Sequence, residues 1–417
     1  MLALLGGDPE VTAAHPHNDL CAFGPEDRAV ITAHLEASGT TSYYGRDGEL
    51  REFEDELAVF FGRSHCVAVN SGTSALHSAF FGIGLQPGDE VIVPTYTFLA
   101  TVSPLFSLRA VPILADCEPD TGNIDPEDIR RRVTARTKAI VVTHQFGHPV
   151  EMDAVLDIAR EHDLKVVEDV SLAFGATYKG HRAGSQGHVA AFSLGSTKLV
   201  SGGQGGALVT DDSEVMERAN LLGHFVRRSI TEVTSDRYRP FVTTGYGHNY
   251  RMHALAVAMA RGRLHRVDEL IAARHERLER LSAGLAGTSF VAPPVTRPYV
   301  HRGQWGGYTA SFDAEAAGVD LDTFVSALQA EGLEVAARGY HPLLHRAEFF
   351  RTTDDRYYPG LPWVEKRLYR DGDLPQSEWH ADRQIAFPIF LDEPVSLVDA
   401  YVRAVHKVCD RIDDLKA

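Results

Sequence analysis

The sequence predicts an α/β protein: a large domain on a mainly parallel, seven-stranded sheet, followed by a smaller C-terminal α+β domain. Three observations carry this prediction. Seven short apolar runs (65–71, 90–96, 110–117, 139–147, 165–171, 191–196 and 206–211) alternate for the most part with helix-like segments. Continuous apolar runs between amphipathic helices mark strands buried on both faces. The texture then changes after Arg251, where residues 252–287 predict a long helical stretch leaving the large domain. Finally, 417 residues with 44% hydrophobic and 24% charged content suffice for two domains with a sizeable core. The expected division is 15–255 for the large domain and 256–417 for the small one.

In order, residues 1 to about 24 read as a polar, mobile terminus. Helical spacing predicts helices over 24–38 and 51–62, with the loop GTTSYYGRDGEL between them. Helices are further expected over 73–85, 126–133 and 152–162, between the strand-like runs. In the small domain, YTASFD reads as a strand, and LDTFVSALQAEG and VSLVDAYVRAVHKVCDRIDDL as helices. Residues 338–379 read as a loop-rich middle.

Composition removes several function classes. A net charge of −16 disfavours nucleic acid and anionic membrane surfaces as partners. No run approaches the roughly 20 apolar residues of a membrane span. The N-terminus lacks a basic stretch before its few apolar residues, so no signal peptide is expected. Cys21, Cys66, Cys117 and Cys409 are widely spaced, as expected of reduced thiols in a cytoplasmic protein. The histidines of AHPHND have no nearby residues to complete a ligand set, so no metal site is expected. A nicotinamide-binding reading lacks its glycine fingerprint after the first strand.

The candidate chemistry centres on AFSLGSTKLVSGGQGGALVTDD, residues 191–212. Only seven of the 41 basic residues are lysine, and one of them, Lys198, sits in a small-residue loop. A primary amine can form a Schiff base where a guanidinium cannot. Taken alone, such a lysine reads as a surface residue rather than a site. Other signals converge on strand ends, where parallel sheets bind ligands. Gly72 and Thr73 follow a strand at a helix start, where unpaired N–H groups suit a phosphate, and Ser193 could add a hydroxyl. Asp169 ends the run KVVED, where a carboxylate could keep a pyridine nitrogen protonated. Phe98 could stack on a flat ring, and Asn249 could reach a phosphate or cap a helix. A phosphate cradle, a stacking ring, an acid for a ring nitrogen and an amine for an aldehyde together suit pyridoxal 5′-phosphate.

These motifs resemble the DegT/DnrJ/StrS-type aminotransferases of keto-sugars and keto-cyclitols, from about Gly39 to the C-terminus. The resemblance rests on SGTSALH, PGDEVIVPTYTFLAT, EPDTGNIDP, THQFGHPVEMDA, EDVSLAFGATYKG, FSLGSTK with GGQGGALVT, GHNYRM and LPQSEWHADRQIAFPIF. It implies a fold-type-I pyridoxal-phosphate enzyme, a homodimer with active sites at the subunit interface. Lys198 would be the Schiff-base lysine, Asp169 the partner of the ring nitrogen and Phe98 the stacking ring. Gly72, Thr73 and Ser193 would hold the phosphate, with Asn249 reaching it from the partner subunit. Two positions depart from the family pattern. Leu172 stands where Gln or His is usual, and Gln204 replaces an acid common in the glycine loop. Leu199, in place of an asparagine frequent in nucleotide-sugar members, leans toward the cyclitol and aminoglycoside branch.

The implied function is transfer of an amino group from glutamate or glutamine to a keto-sugar or keto-cyclitol in a biosynthetic, antibiotic-type pathway. The rival readings are a non-transaminating enzyme such as a sugar dehydratase, and a non-catalytic relative that binds the cofactor. Tyr43, Tyr44, His144, Tyr340 and His341 are candidate substrate contacts, because they fall on loops near the mapped site.

Overall fold

The computed structural model describes residues 1–12, 24–353 and 367–416. Its large sheet contains β1 (His65–Val69), β2 (Glu90–Pro94), β3 (Val111–Ala115), β4 (Thr137–Thr143) and β5 (Lys165–Asp169). The short strands β6 (Thr177–Tyr178) and β7 (His181–Arg182) interrupt the series before β8 (Val189–Ser193) and β9 (Gly206–Thr210). The order is β1-β9-β8-β5-β4-β2-β3, and only β9 runs antiparallel to its neighbours. All seven predicted runs are therefore strands of one sheet. Residues of β2, β8 and β9 are almost all buried, which is why they read as unbroken apolar runs rather than alternating ones.

The topology gathers the site. The C-terminal ends of β1, β2, β5 and β8 point the same way, and each leads into a turn carrying a candidate residue. After β1, Ser71 starts the helix Gly72–Gly82 by accepting the N–H of Ser74 at 3.1 Å. Gly72 cannot be replaced there, because a Cβ would lie 2.8 Å from the Cβ of Ser193. A Cβ on Gly206 would lie 2.4 Å from the Ser71 carbonyl oxygen. Gly206 thus lets the start of β9 pass close behind the Ser71–Gly72 turn.

The C-terminal part has its own sheet, β10 (Val291–Ala292), β12 (Tyr308–Phe312), β14 (Gln384–Phe387) and β13 (Ala336–Ala337), all antiparallel in that order. β11 (Val300–His301) instead joins β6 and β7 in a small third sheet. The predicted long helix is two helices, Ala254–Leu264 and Val267–Leu285, broken at His265–Arg266. Neither proline nor glycine sits at the break. The second helix spans two cores: Val267 and Ile271 pack with Val257 and Leu264 in the large domain, whereas Leu278, Leu281 and Leu285 pack in the C-terminal one.

The terminus expected to be mobile is anchored over residues 1–12. Leu2 and Val11 are buried in the C-terminal core, and the N–H groups of Ala3 and Glu10 bond the buried Glu331 carboxylate at 2.8 and 3.1 Å. The AHPHND histidines and Cys21 lie outside the described residues.

A buried ion pair joins the outer layers of the large domain. Glu54 accepts both terminal nitrogens of Arg228 at 2.8 and 3.0 Å and the N–H of Ala68 at 2.7 Å. Breaking a buried pair leaves a charge without compensation, so Glu54→Leu is expected to cost about 3–5 kcal/mol in urea unfolding. Glu54→Leu with Arg228→Met should recover most of that loss. Equal stability of the single variant and the native chain would contradict this.

Candidate active site

A cavity of about 860 Å³ lies between the strand ends of the large sheet and the C-terminal domain. Gly72, Thr73, Phe98, Asp169, Ser193 and Lys198 all line it. These six sequence-derived candidates, spread over more than a hundred residues, converge on one space. The opposite wall comes from the C-terminal part, including Leu333, Val335, Tyr340, His341 and Pro388.

Asp169 is 4% exposed and held from two sides. Thr101 Oγ1 donates to Oδ2 at 2.7 Å, and the Ser171 N–H donates to Oδ1 at 3.0 Å. The threonines Thr97, Thr101 and Thr143 form a chain of hydroxyl contacts at 2.8 and 3.0 Å behind it. Hydrogen bonds to the charged form stabilise a carboxylate, so Asp169 is prepared to accept from a cationic N–H.

Lys198 opens onto the cavity but is otherwise enclosed by protein. Removal from water pushes its amine down to about 8; the Asp169 charge opposes this, and the Arg274 guanidinium adds to it. At pH 7.5 roughly one amine in four is then neutral, against roughly one in a thousand for an ordinary lysine. A neutral amine can attack an aldehyde and accept a proton, and an ammonium can do neither.

The cradle fits a phosphate. The Ser74 N–H is capped and that of Ala75 bonds the Ser71 carbonyl, which leaves the N–H groups of Gly72 and Thr73 at the helix start for a ligand. Ser193 Oγ accepts the Gly195 N–H at 3.1 Å and keeps its own proton to donate. Phe98 is 60% exposed on its own chain and presents a face to the cavity, 5.5 Å from the ring of His341. The residues present therefore suit pyridoxal 5′-phosphate. Leu172 lines the cavity with hydrocarbon, packed with Tyr96, Phe146 and Leu343, and offers no hydrogen bond.

The family whose profile matches residues 25–393 is the DegT/DnrJ/EryC1/StrS aminotransferase family. This chain belongs to it. It is an aminotransferase that uses pyridoxal 5′-phosphate, with the α/β fold of its relatives. An L-glutamine:scyllo-inosose aminotransferase from Streptomyces griseus is 32% identical over 386 residues, covering 90% of this chain and 89% of that protein. DesV from S. venezuelae is 30% identical, with a TM-score of 0.77 over 93% of this chain and 95% of that one. DesI, solved with its TDP-sugar product, gives a TM-score of 0.82 at 26% identity over 99% and 97% of the two chains.

Several substrate expectations need correction. His144 does not reach the cavity: it is fully buried, with Nε2 3.0 Å from Glu168 and Nδ1 accepting the Val150 N–H. The strand β4 continues too deep for its end to be a surface loop. Tyr43 and Tyr44 line a separate groove with Arg46 and Arg227. Tyr340 does line the cavity, but its hydroxyl is taken up by the carbonyls of Tyr308 and Phe387, leaving only the ring. His341 lines the cavity as expected, and burial first, then the Lys198 charge, hold it down to about 4. Its imidazole is neutral at physiological pH. Asn249 is not among the lining residues of its own chain; its carbonyl accepts Asn70 Nδ2 at 3.2 Å.

Residues missed from the sequence include Thr97, Thr101, Thr143 and Gln304. The first two stand in PTYTFLAT and could have been read from their strand-end position. Gln304 had no local signal.

Two outcomes are expected. In the cofactor-free protein, reaction of Lys198 with an aldehyde should rise with pH to an inflection near 8, because the ammonium dominates below it; an inflection near 10 contradicts the enclosed amine. Thr101→Val removes a hydrogen bond to a carboxylate, worth about 1.5–3 kcal/mol, and should weaken cofactor binding roughly tenfold or more by absorbance titration.

Proposed function

We propose that this chain moves an amino group from glutamate or glutamine to a ketone on a cyclitol or sugar, within a biosynthetic pathway and as a homodimer. The observation that carries the reading is the enclosed Lys198 amine beside Asp169, opposite a phosphate cradle in the same cavity. The cofactor, when bound, supplies an aldehyde that condenses with amines and a ring that withdraws electrons. Asp169 accepts the ring N–H and keeps that ring cationic. Gly72, Thr73 and Ser193 anchor the phosphate end. Phe98 covers one face and excludes water. The neutral Lys198 amine takes the proton from the donor's α-carbon and delivers it to the cofactor's C4′.

The acceptor class follows from the remaining wall. Lys198 is the only lysine or arginine among the described residues lining the cavity. Within one chain that set offers few cations to a diphosphate sugar, which agrees with the lean toward cyclitols drawn from Leu199. His341, neutral beside Phe98, suits hydrogen bonding to a hydroxyl.

The dimer is supported by what one chain leaves uncovered. Tyr44, Phe98, Ile230, Phe241 and Tyr246 are each more than half exposed on the single chain, and this is apolar surface that a partner subunit would cover. Asn249 lies near its own cradle without lining it, which agrees with donation of its side chain across an interface.

A mixing experiment tests both parts. Lys198→Ala and Asn249→Ala homodimers should each lose most formation of 2-oxoglutarate or 2-oxoglutaramate. Mixed dimers made by co-expression should regain activity, since one of their two sites is then intact. Turnover by Lys198→Ala alone would overturn the chemistry; no recovery on mixing would overturn the shared site.

A further inference from the structure

We propose that Gln304 is a positioning residue that sets the separation between the Lys198 amine and the Asp169 carboxylate. The inference rests on the reading of those two residues as the reactive pair. It concerns how two loops, distant in sequence and carried on different strand ends, are held in register.

Gln304 is 1% exposed, in the segment before β12, and every polar group it carries is engaged. Its side-chain Nε2 donates to the Ser171 carbonyl at 2.8 Å. Its Oε1 accepts the Leu199 N–H at 3.4 Å, a longer contact. Its backbone N–H bonds the Phe174 carbonyl at 2.8 Å, and its backbone carbonyl accepts Arg274 Nη1 at 2.8 Å. One amide therefore spans the turn that follows Asp169 and the turn that follows Lys198.

Both ends of that span act directly on the site. Ser171 donates its N–H to Asp169 Oδ1, and its Oγ accepts the Ser193 N–H, so the Ser171 turn fixes the carboxylate and one edge of the cradle. Leu199 is the residue next to Lys198, whose own N–H returns to the Gly195 carbonyl at 3.0 Å. A carboxamide is the side chain that can donate to one loop and accept from the other. A glutamate would set an oxygen against the Ser171 carbonyl, and an apolar side chain would leave both loops unpaired.

The anchor behind this span is also rigid. Arg274 belongs to the helix Val267–Leu285, is 1% exposed, and leaves its Nε without a partner among the described residues. The groups that face Lys198 electrically are Asp169, Arg274 and His341. Gln304 carries no charge, so its removal alters the Lys198 amine through distance and water access alone.

The test is the titration of the Lys198 amine in the cofactor-free protein, followed by trace acetylation with acetic anhydride and peptide mapping, in Gln304→Met and Gln304→Asn. Methionine keeps the volume and loses the hydrogen bonds; asparagine keeps the amide and is too short to span. The native inflection is expected near pH 8. Both variants should move it up by about one pH unit, toward the ordinary lysine value, as water enters the loosened loop. In the loaded enzyme kcat should fall roughly tenfold or more, with KM for the amino donor changed less. A native inflection with kcat within about twofold in either folded variant overturns the proposal. Failure of both variants to fold overturns it too, in favour of a packing role. Turnover by Lys198→Ala would instead remove the reactive-pair reading, so the two failures are separately visible.

Discussion

The Lys198 amine is useful only while it is kept out of water beside a single carboxylate. Burial makes the amine neutral often enough to react, and Asp169 limits how far that goes. Both effects depend on the loops that carry Lys198 and Asp169 being held together. The large sheet does most of this, since β5 and β8 are adjacent and parallel and their turns are joined by the Ser171–Ser193 bond. The threonine chain then fixes the carboxylate from behind. The reactive pair is therefore a property of strand register more than of either loop.

The two parts of the chain divide the work. The large domain supplies Gly72, Thr73, Phe98, Asp169, Ser193 and Lys198 to the cavity. The C-terminal part supplies the far wall, through Leu333, Val335, Tyr340, His341 and Pro388. Its placement is secured by the helix pair and by Gln304, which bonds Ser171, Leu199 and Phe174 of the large domain. The cofactor pocket is polar and tied to backbone groups, whereas the far wall is largely hydrocarbon. That division suits one cofactor with exchangeable acceptors, because the far wall alone can be varied without moving the cradle.

Particular residues show how far reading along the chain reaches. The seven strands were legible because strands buried on both faces must be apolar. The cradle was legible because Ser71 and Gly72 satisfy local rules of helix starts. Asp169 and Phe98 were legible as strand-end residues. His144 misled, since it also follows a strand, yet its imidazole turns inward to Glu168 rather than outward to the cavity. Tyr43 and Tyr44 lie in a separate groove of their own chain, and a loop carries no sequence signal for the face on which it lies. Tyr340 reached the cavity, but its hydroxyl was already engaged by two carbonyls that no sequence pattern marks.

The sequence by itself determined the fold class, the family, the cofactor and the six residues that meet in the cavity. Those follow from local periodicity, from turn chemistry and from motif order, all of which are written along the chain. The tertiary structure alone decided which loop residues face the cavity, that Gln304 spans two loops, and that burial lowers the Lys198 amine. Orientation and enclosure arise from contacts between segments remote in sequence, and a one-dimensional pattern does not encode them.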